Sequence, residues 1–325
     1  MTPAAAYEAD NTDSFDAALA RLNKLSVERH THAYDIDWDD PAFSIRPEGP
    51  PVELPTFDPL GRTEWYRSLP AEERRRLALY RYAACMKIGW HFENLLQQGL
   101  LRYATRLPNG TPEFRYLHHE IVEESEHTLM FQEFVNRTGL PVRGMPRALR
   151  WLAQFRVVPL AQRFPALFFL FVLGGEDPVD QLQRRQLKEE GGRMHPLVER
   201  IMRIHVAEEA RHLSFARHYL NDRTPQLGRG GRAVLSVLAP IVLAVMARLM
   251  FRPPGDLVRR FGIPRDVLRE AYGSAEGRRS LADSVAKTRR LWVDLGLVGP
   301  FSRQLWKAGS IWEPGVRGVR AGAAR

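Results

Sequence analysis

Four acidic intrusions into apolar helical sequence constrain this 325-residue chain more than any other feature. Glu93 interrupts an apolar stretch between Phe92 and Leu95-Leu96, and Glu176 closes the apolar and small run 166–175. Glu124 lies 31 residues after Glu93, and Glu209 lies 33 residues after Glu176. Each of these later acids opens a Glu-x-x-His, Glu124 with His127 and Glu209 with His212. The local strings also echo each other, Glu-Glu-Ser-Glu-His against Glu-Glu-Ala-Arg-His. A carboxylate inside an apolar helix must face solvent, pair with a charge or bind a metal.

The pattern reads as a doubled helix pair: a first helix offers one Glu and a second offers Glu-x-x-His. His205 joins the second pair at i, with Glu209 at i+4 and His212 at i+7. At about 100° per residue, Glu209 stands about 40° and His212 about −20° from His205, so all three share a narrow face. Two imidazoles and a carboxylate converging in this way suit a transition metal. Ferritin-like di-iron and di-manganese carboxylate bundles are built from two such pairs. The predicted fold is therefore all-α: a ferritin-like four-helix bundle core with a di-metal site, extra C-terminal helices and an extended Pro-rich N-terminal arm. The competing reading, four unrelated buried acids, needs four separate charge partners. Glu120, Glu123 and Glu208 lack the spacing of ligands and are expected behind the site or on the surface. Glu126 is expected to pair with Arg211, and His118 and His119 are expected to be ordinary polar residues. His205 has no counterpart in the first pair and would add nitrogen ligation to one metal.

Along the chain, a helix is expected from Ser14 to about Glu28. An extended arm follows, with Pro41, Pro47, Pro50, Pro51, Pro55 and Pro59, whose density prevents long helices and sheet interiors. Such an arm wraps over a body or a neighbouring subunit. Helices are expected from Pro70 to about Leu107, from Thr111 as N-cap to about Arg137, from Pro165 with a kink near Pro178, and from Pro196 to Asn221. Residues 140–163 read as a connection of short Arg-rich pieces. Further helices are expected at 264–273, 277–295 and 299–308. The run 233–251 is the most apolar, but Pro240 and Arg248 interrupt it. A membrane span needs about 20 mostly apolar residues, so a buried or interface helix is the preferred reading and surface membrane contact the lesser one. Three regions result: 1–69, an N-terminal helix and arm; 70–310, the bundle with its C-terminal helices; and 311–325, a basic tail.

The single cysteine, Cys85, excludes an internal disulfide and an iron–sulfur cluster and is read as core filler. The first residues lack a basic and then apolar leader, so a reducing cytoplasm is expected. A net charge of +9 reflects abundant Arg, and no zinc-finger spacing or aromatic-interleaved basic groove points to nucleic acid. Gly89, Trp90, Gln97, Phe169 and Val172, a turn from Glu93 or Glu176, are candidates to line a pocket.

At Glu93, Glu124, His127, Glu176, His205, Glu209 and His212 the sequence resembles the AurF-type p-aminobenzoate N-oxygenases, non-haem di-iron enzymes that oxidise arylamines. The pattern Glu … Glu-x-x-His … Glu … His-x-x-x-Glu-x-x-His is matched without a missing member. The Pro-rich arm and the Arg-Pro-Pro and Arg-Glu-Ala-Tyr-Gly segments near 252–273 extend it. The resemblance implies two iron ions, with manganese as an alternative, held by those seven residues. It implies activation of O₂ through a peroxo-diferric species and oxygen transfer to a small-molecule amine. With no flavin or nicotinamide fingerprint, electrons come from an external reductase or ferredoxin, or from peroxide. A homodimer follows from the resemblance and from an arm that needs something to cover. Rival readings are a di-iron hydroxylase or desaturase on a lipid or carrier-bound substrate, a metal-storage or peroxide-scavenging protein, and a membrane-associated binding protein.

Overall fold

The computed structural model describes residues 14–46 and 49–312, and among them every regular element is helical. The N-terminal residues read for a leader and most of the basic tail lie outside this range. Helix α1 (Phe15–Glu28) starts where the Ser14 hydroxyl accepts the Ala17 amide, as the sequence predicts. The arm then runs through short 3-10 turns at Ala33–Asp35 and Pro41–Phe43 to α2 (Glu64–Ser68).

Four long helices form the body: α3 (Ala71–Ala104), α4 (Pro112–Thr138), α7 (Pro165–Glu190) and α8 (Pro196–Arg223). Helix α3 packs along α4, and α7 along α8, each as an antiparallel hairpin; the two hairpins meet through α3 on α7 and α4 on α8. Glu72 and Glu73 sit in the first turn of α3, where the helix dipole favours them. Gly139 stops α4 in the left-handed region at φ 61, donating its amide to the Asn136 carbonyl. Thr111 precedes α4 in an extended conformation but does not cap it, because its hydroxyl donates to the Pro108 carbonyl. Helix α7 continues through Pro178, and α8 continues past Asn221-Asp222 to Arg223, where packing overrides local breaking signals.

The 140–163 connection contains α5 (Arg147–Leu152), a π-helical turn (Ala153–Val157) and α6 (Leu160–Arg163). Helix α9 (Arg229–Phe251) packs on α7. The stretch Arg229–Arg260 is long and apolar enough to cross a membrane, yet 56% of its apolar window is buried in the fold. Helices α10 (Gly255–Arg260), α11 (Arg265–Gly273), α12 (Ala275–Asp283), α13 (Ala286–Asp294) and α14 (Pro300–Ala308) complete the chain. The single helix expected over 277–295 is two. The Ser284 hydroxyl donates to the Leu281 carbonyl, and the Ser284 carbonyl accepts from Gln181, which breaks the ladder.

The arm lies on its own bundle. The Thr31 amide donates to Glu208, the Ala33 amide to Glu126, and Thr56 to Glu190. At these points the arm covers its own bundle.

Candidate metal centre

Each hairpin delivers what its sequence spacing promises. Helix α3 carries Glu93, α4 carries Glu124 and His127, α7 carries Glu176, and α8 carries His205, Glu209 and His212. All seven are at most 3% exposed. Their ligand atoms fall into three overlapping groups: Glu93–His127–His205, Glu124–Glu209–His212 and Glu176–His205–Glu209. Within each group the atoms lie within 4.8 Å of one another. The sequence-predicted set is thus brought together in full at the centre of the bundle.

The imidazoles are oriented by groups behind them. His127 Nε2–H donates to Glu208 at 2.9 Å, and His212 Nε2–H donates to Glu123 at 2.8 Å. His205 Nδ1–H donates to Gln183 Oε1 at 2.9 Å. Each acceptor takes one ring N–H, so in the neutral imidazole the opposite nitrogen is the one that carries the lone pair. Those opposite nitrogens face the carboxylates. His127 Nδ1 is 3.5 Å from Glu124 and Glu209 and 4.0 Å from Glu93. His212 Nδ1 is 3.0 Å from Glu124 and 3.2 Å from Glu209, and His205 Nε2 is 3.6 Å from Glu93 and 3.7 Å from Glu209.

Several inward atoms have no hydrogen-bond partner: both Glu124 oxygens, Glu209 Oε2 and His127 Nδ1. Orphaned buried acceptors of this kind are costly unless a cation meets them. The four inner carboxylates carry a formal −4, which two divalent cations balance with the imidazoles neutral. Oxygen and nitrogen donors with no thiolate suit iron or manganese. The residues present therefore fit a dinuclear centre.

The protein alone answers this charge with protons. Burial pushes the Glu93 carboxyl up to about 7, against the pull of His205 and His127. Burial, with Glu209, Glu124 and Glu93 nearby, holds Glu176 well above the usual carboxylate range. Burial opposes charge on His127 and His212, but Glu124, Glu209 and the outer carboxylates outweigh it and hold both well above the usual imidazole range. Burial raises Glu209 too, but the neighbouring imidazoles outweigh it and hold this carboxyl well below its ordinary value. Cation binding would release these imidazole protons.

Behind the site, Arg211 links the two outer acids, 2.9 Å from Glu123 and 3.7 Å from Glu208. The expected Arg211–Glu126 pair does not form. Glu126 instead accepts the Ala33 amide at 2.8 Å and stands 3.1 Å from His32, docking the arm. His30, His32 and Glu126 also come within mutual ligand reach on the surface. Glu120 is 1% exposed, and neither of its oxygens has a partner; burial raises it to about 8. Gln183 escaped the sequence reading, although it lies two turns after Glu176 on the same helix face.

A cavity of about 140 Å³ reaches Glu93, Glu176 and His205 from the side of α3, α7 and the arm. Leu54, Pro55 and Phe57 of the arm close it, and Arg81, Tyr82 and Gln186 bring polar groups to its wall. Gly89 lines it as expected, but Trp90, Gln97, Phe169 and Val172 do not. Trp90 lies under Lys87, Phe169 packs among Tyr103, Phe215 and Tyr219, and Val172 faces a different cavity. Gln97 donates to Thr128, whose hydroxyl donates to Glu93, so it acts through a hydrogen-bond chain. Cys85 is half-buried in this cavity wall rather than in the core. The face marked by Glu93 would have shown this, since Cys85 and Gly89 precede it by eight and four residues.

The model of the family described as "P-aminobenzoate N-oxygenase AurF" matches residues 12–296. The chain belongs to the AurF family. AurF-family proteins are helical di-iron oxygenases, and this member has the buried Glu and His clusters able to bind metal. An uncharacterized protein of Mycobacterium bovis and one of Mycobacterium tuberculosis strain H37Rv are each 44% identical to it over 292 residues. Both alignments cover 89% of this chain and 85% of the relative. No solved structure matches the chain.

Proposed function

We propose that this AurF-family member is a non-haem di-iron monooxygenase that N-oxygenates a small aromatic amine. The observation that carries the reading is the set of three buried imidazoles, each pinned from behind by its own acceptor and together facing the four inner carboxylates. Storage sites need no third imidazole, and His205 sits at the end of the centre that the cavity reaches. When bound and reduced, an iron pair would supply O₂ activation, with one oxygen atom for the amine nitrogen and the other leaving as water on two electrons from an external donor and two protons.

The chain's own residues do the remaining work. Glu93, His127 and His205 converge, as do Glu124, Glu209 and His212, and Glu176 joins His205 and Glu209; these seven would hold the iron pair. Glu208, Glu123 and Gln183 hold the ring tautomers. Phe92, Phe131 and Met202 give the cavity a largely apolar wall, and the arm closes it over the centre. The amine would enter against Glu93 and His205. A cytoplasmic setting, a partner reductase or ferredoxin, and a homodimer belong to the same proposal.

The test is anaerobic loading with two equivalents of Fe(II), a reductant, O₂ and a panel of arylamines, with hydroxylamine, nitroso and nitro products read by mass spectrometry. Amine-dependent oxygenated products that vanish in His205→Ala support the reading. Uptake of many iron ions per chain without product, or turnover confined to carrier-bound acyl substrates, refutes it.

A further inference from the structure

A second cavity, of about 370 Å³, lies between the 147–163 segment, α7 and α9. Phe92 is the wall it shares with the cavity at the metal centre. Every side chain lining it is apolar except Arg156. Such a chamber offers no group to orient a polar substrate, so its occupant is selected by apolar area alone. A methylene takes up about the volume of a water molecule, ~30 Å³, so the 370 Å³ chamber accepts an aliphatic chain on the order of a dozen carbons.

The mouth is built for an amphiphile. Leu152, Ile241 and Val245 line the chamber and are each nearly half exposed. Beside them Trp151 and Phe155, both 59% exposed, pack with tilted rings whose centroids are 5.3 Å apart. The π-helical turn at Ala153–Val157 brings Arg156 to this rim; π turns are rare and concentrate at functional sites. Residues 140–163 and 229–251 together hold eight arginines and no Asp or Glu. Arg150, Arg232 and Arg248 are committed to His91, Leu295 and Gly309. Of these arginines Arg156 alone lines the chamber, and among the described residues it is in no ion pair. An apolar chamber with one unopposed cation at its mouth selects an anionic head on a hydrocarbon tail.

We propose that this chamber binds the aliphatic chain of a long-chain carboxylic acid, tail inside against α7 and α9, carboxylate at Arg156. Binding needs no metal, so it stands or falls apart from the oxygenase reading. The full chain, stripped of metal, is titrated by isothermal calorimetry with octanoate, decanoate and dodecanoate in turn. The expected result is one saturable site per chain, with affinity rising roughly tenfold for each two added methylenes. Val245→Trp at the half-exposed mouth blocks entry and weakens dodecanoate at least about tenfold. Arg156→Glu weakens dodecanoate by a similar factor while leaving dodecanol unchanged. Circular dichroism and iron loading of both variants stay as in the parent chain, which separates blocked binding from misfolding. Absence of saturable binding, affinity independent of chain length, or full binding by Val245→Trp overturns the proposal. Pelleting with phosphatidylglycerol vesicles without binding of the monomeric acid also overturns it and makes the face a membrane-docking surface.

Discussion

Glu208 has two oxygens and two donors, and replacing it with Gln removes one acceptor. Oε2 accepts His127 Nε2–H at 2.9 Å, and Oε1 accepts the Thr31 amide at 3.1 Å. Gln offers a single carbonyl oxygen and an NH₂. If the carbonyl keeps Thr31, the NH₂ faces His127 Nε2 and forces the ring proton onto Nδ1. That proton then occupies the lone pair aimed at Glu124 and Glu209. If the carbonyl keeps His127, the Thr31 amide loses its partner and the arm loosens. A charge-assisted hydrogen bond between buried groups is worth about 1.5–3 kcal/mol. Loss of a partner behind a metal-ligating His weakens binding tenfold to a hundredfold, or about 1.4–2.7 kcal/mol. The two routes to the magnitude agree. Anaerobic Fe(II) titration against a competing chelator, paired with thermal unfolding of the metal-free chain, reads both branches. Glu208→Gln should weaken one of two iron equivalents by that factor with little change in unfolding, or else lower the unfolding midpoint. Two equivalents at parental affinity together with parental unfolding would refute the role given to Glu208.

Three further outcomes are expected. Glu120 is held protonated by burial with its carboxyl at about 8, above its unfolded value, so its contribution to stability is full at low pH. That contribution fades as pH rises through 8. Metal-free Glu120→Gln should therefore gain on the parent as pH goes from 5 to 9 in differential scanning calorimetry, and a pH-independent difference contradicts this. Arg211→Met leaves Glu123 and Glu208 buried without their shared cation and should cost about 3–5 kcal/mol in urea unfolding; a neutral effect would show the two acids take up protons instead. Gly175→Ala places a Cβ into the Phe92 ring, so the ring beside Glu93 must move. Overpacking costs about 1–3 kcal/mol against a helix-propensity gain of about 1. The midpoint should fall or hold level while iron affinity drops, and a clear rise with normal iron binding would contradict the packing argument.

The amino-acid sequence alone determined the ligand framework. Helical spacing is a local property, so Glu124 with His127, and His205 with Glu209 and His212, declare a shared face wherever they fold. Two such faces, each preceded by a lone acid in an apolar helix, leave a paired-hairpin bundle as the arrangement that satisfies all four acids. What the tertiary structure decided is everything that depends on contacts between distant segments. Gln183, Glu123 and Glu208 became the backing of three imidazoles only when α7, α4 and α8 packed. The arm turned inward onto Glu126 and Glu208, a choice its prolines did not encode, because Pro sets local extension and not direction. Cys85 moved from expected core to cavity wall, and Phe169 moved the other way. Volume and lining are sums over several helices, and no periodicity along one of them contains that information.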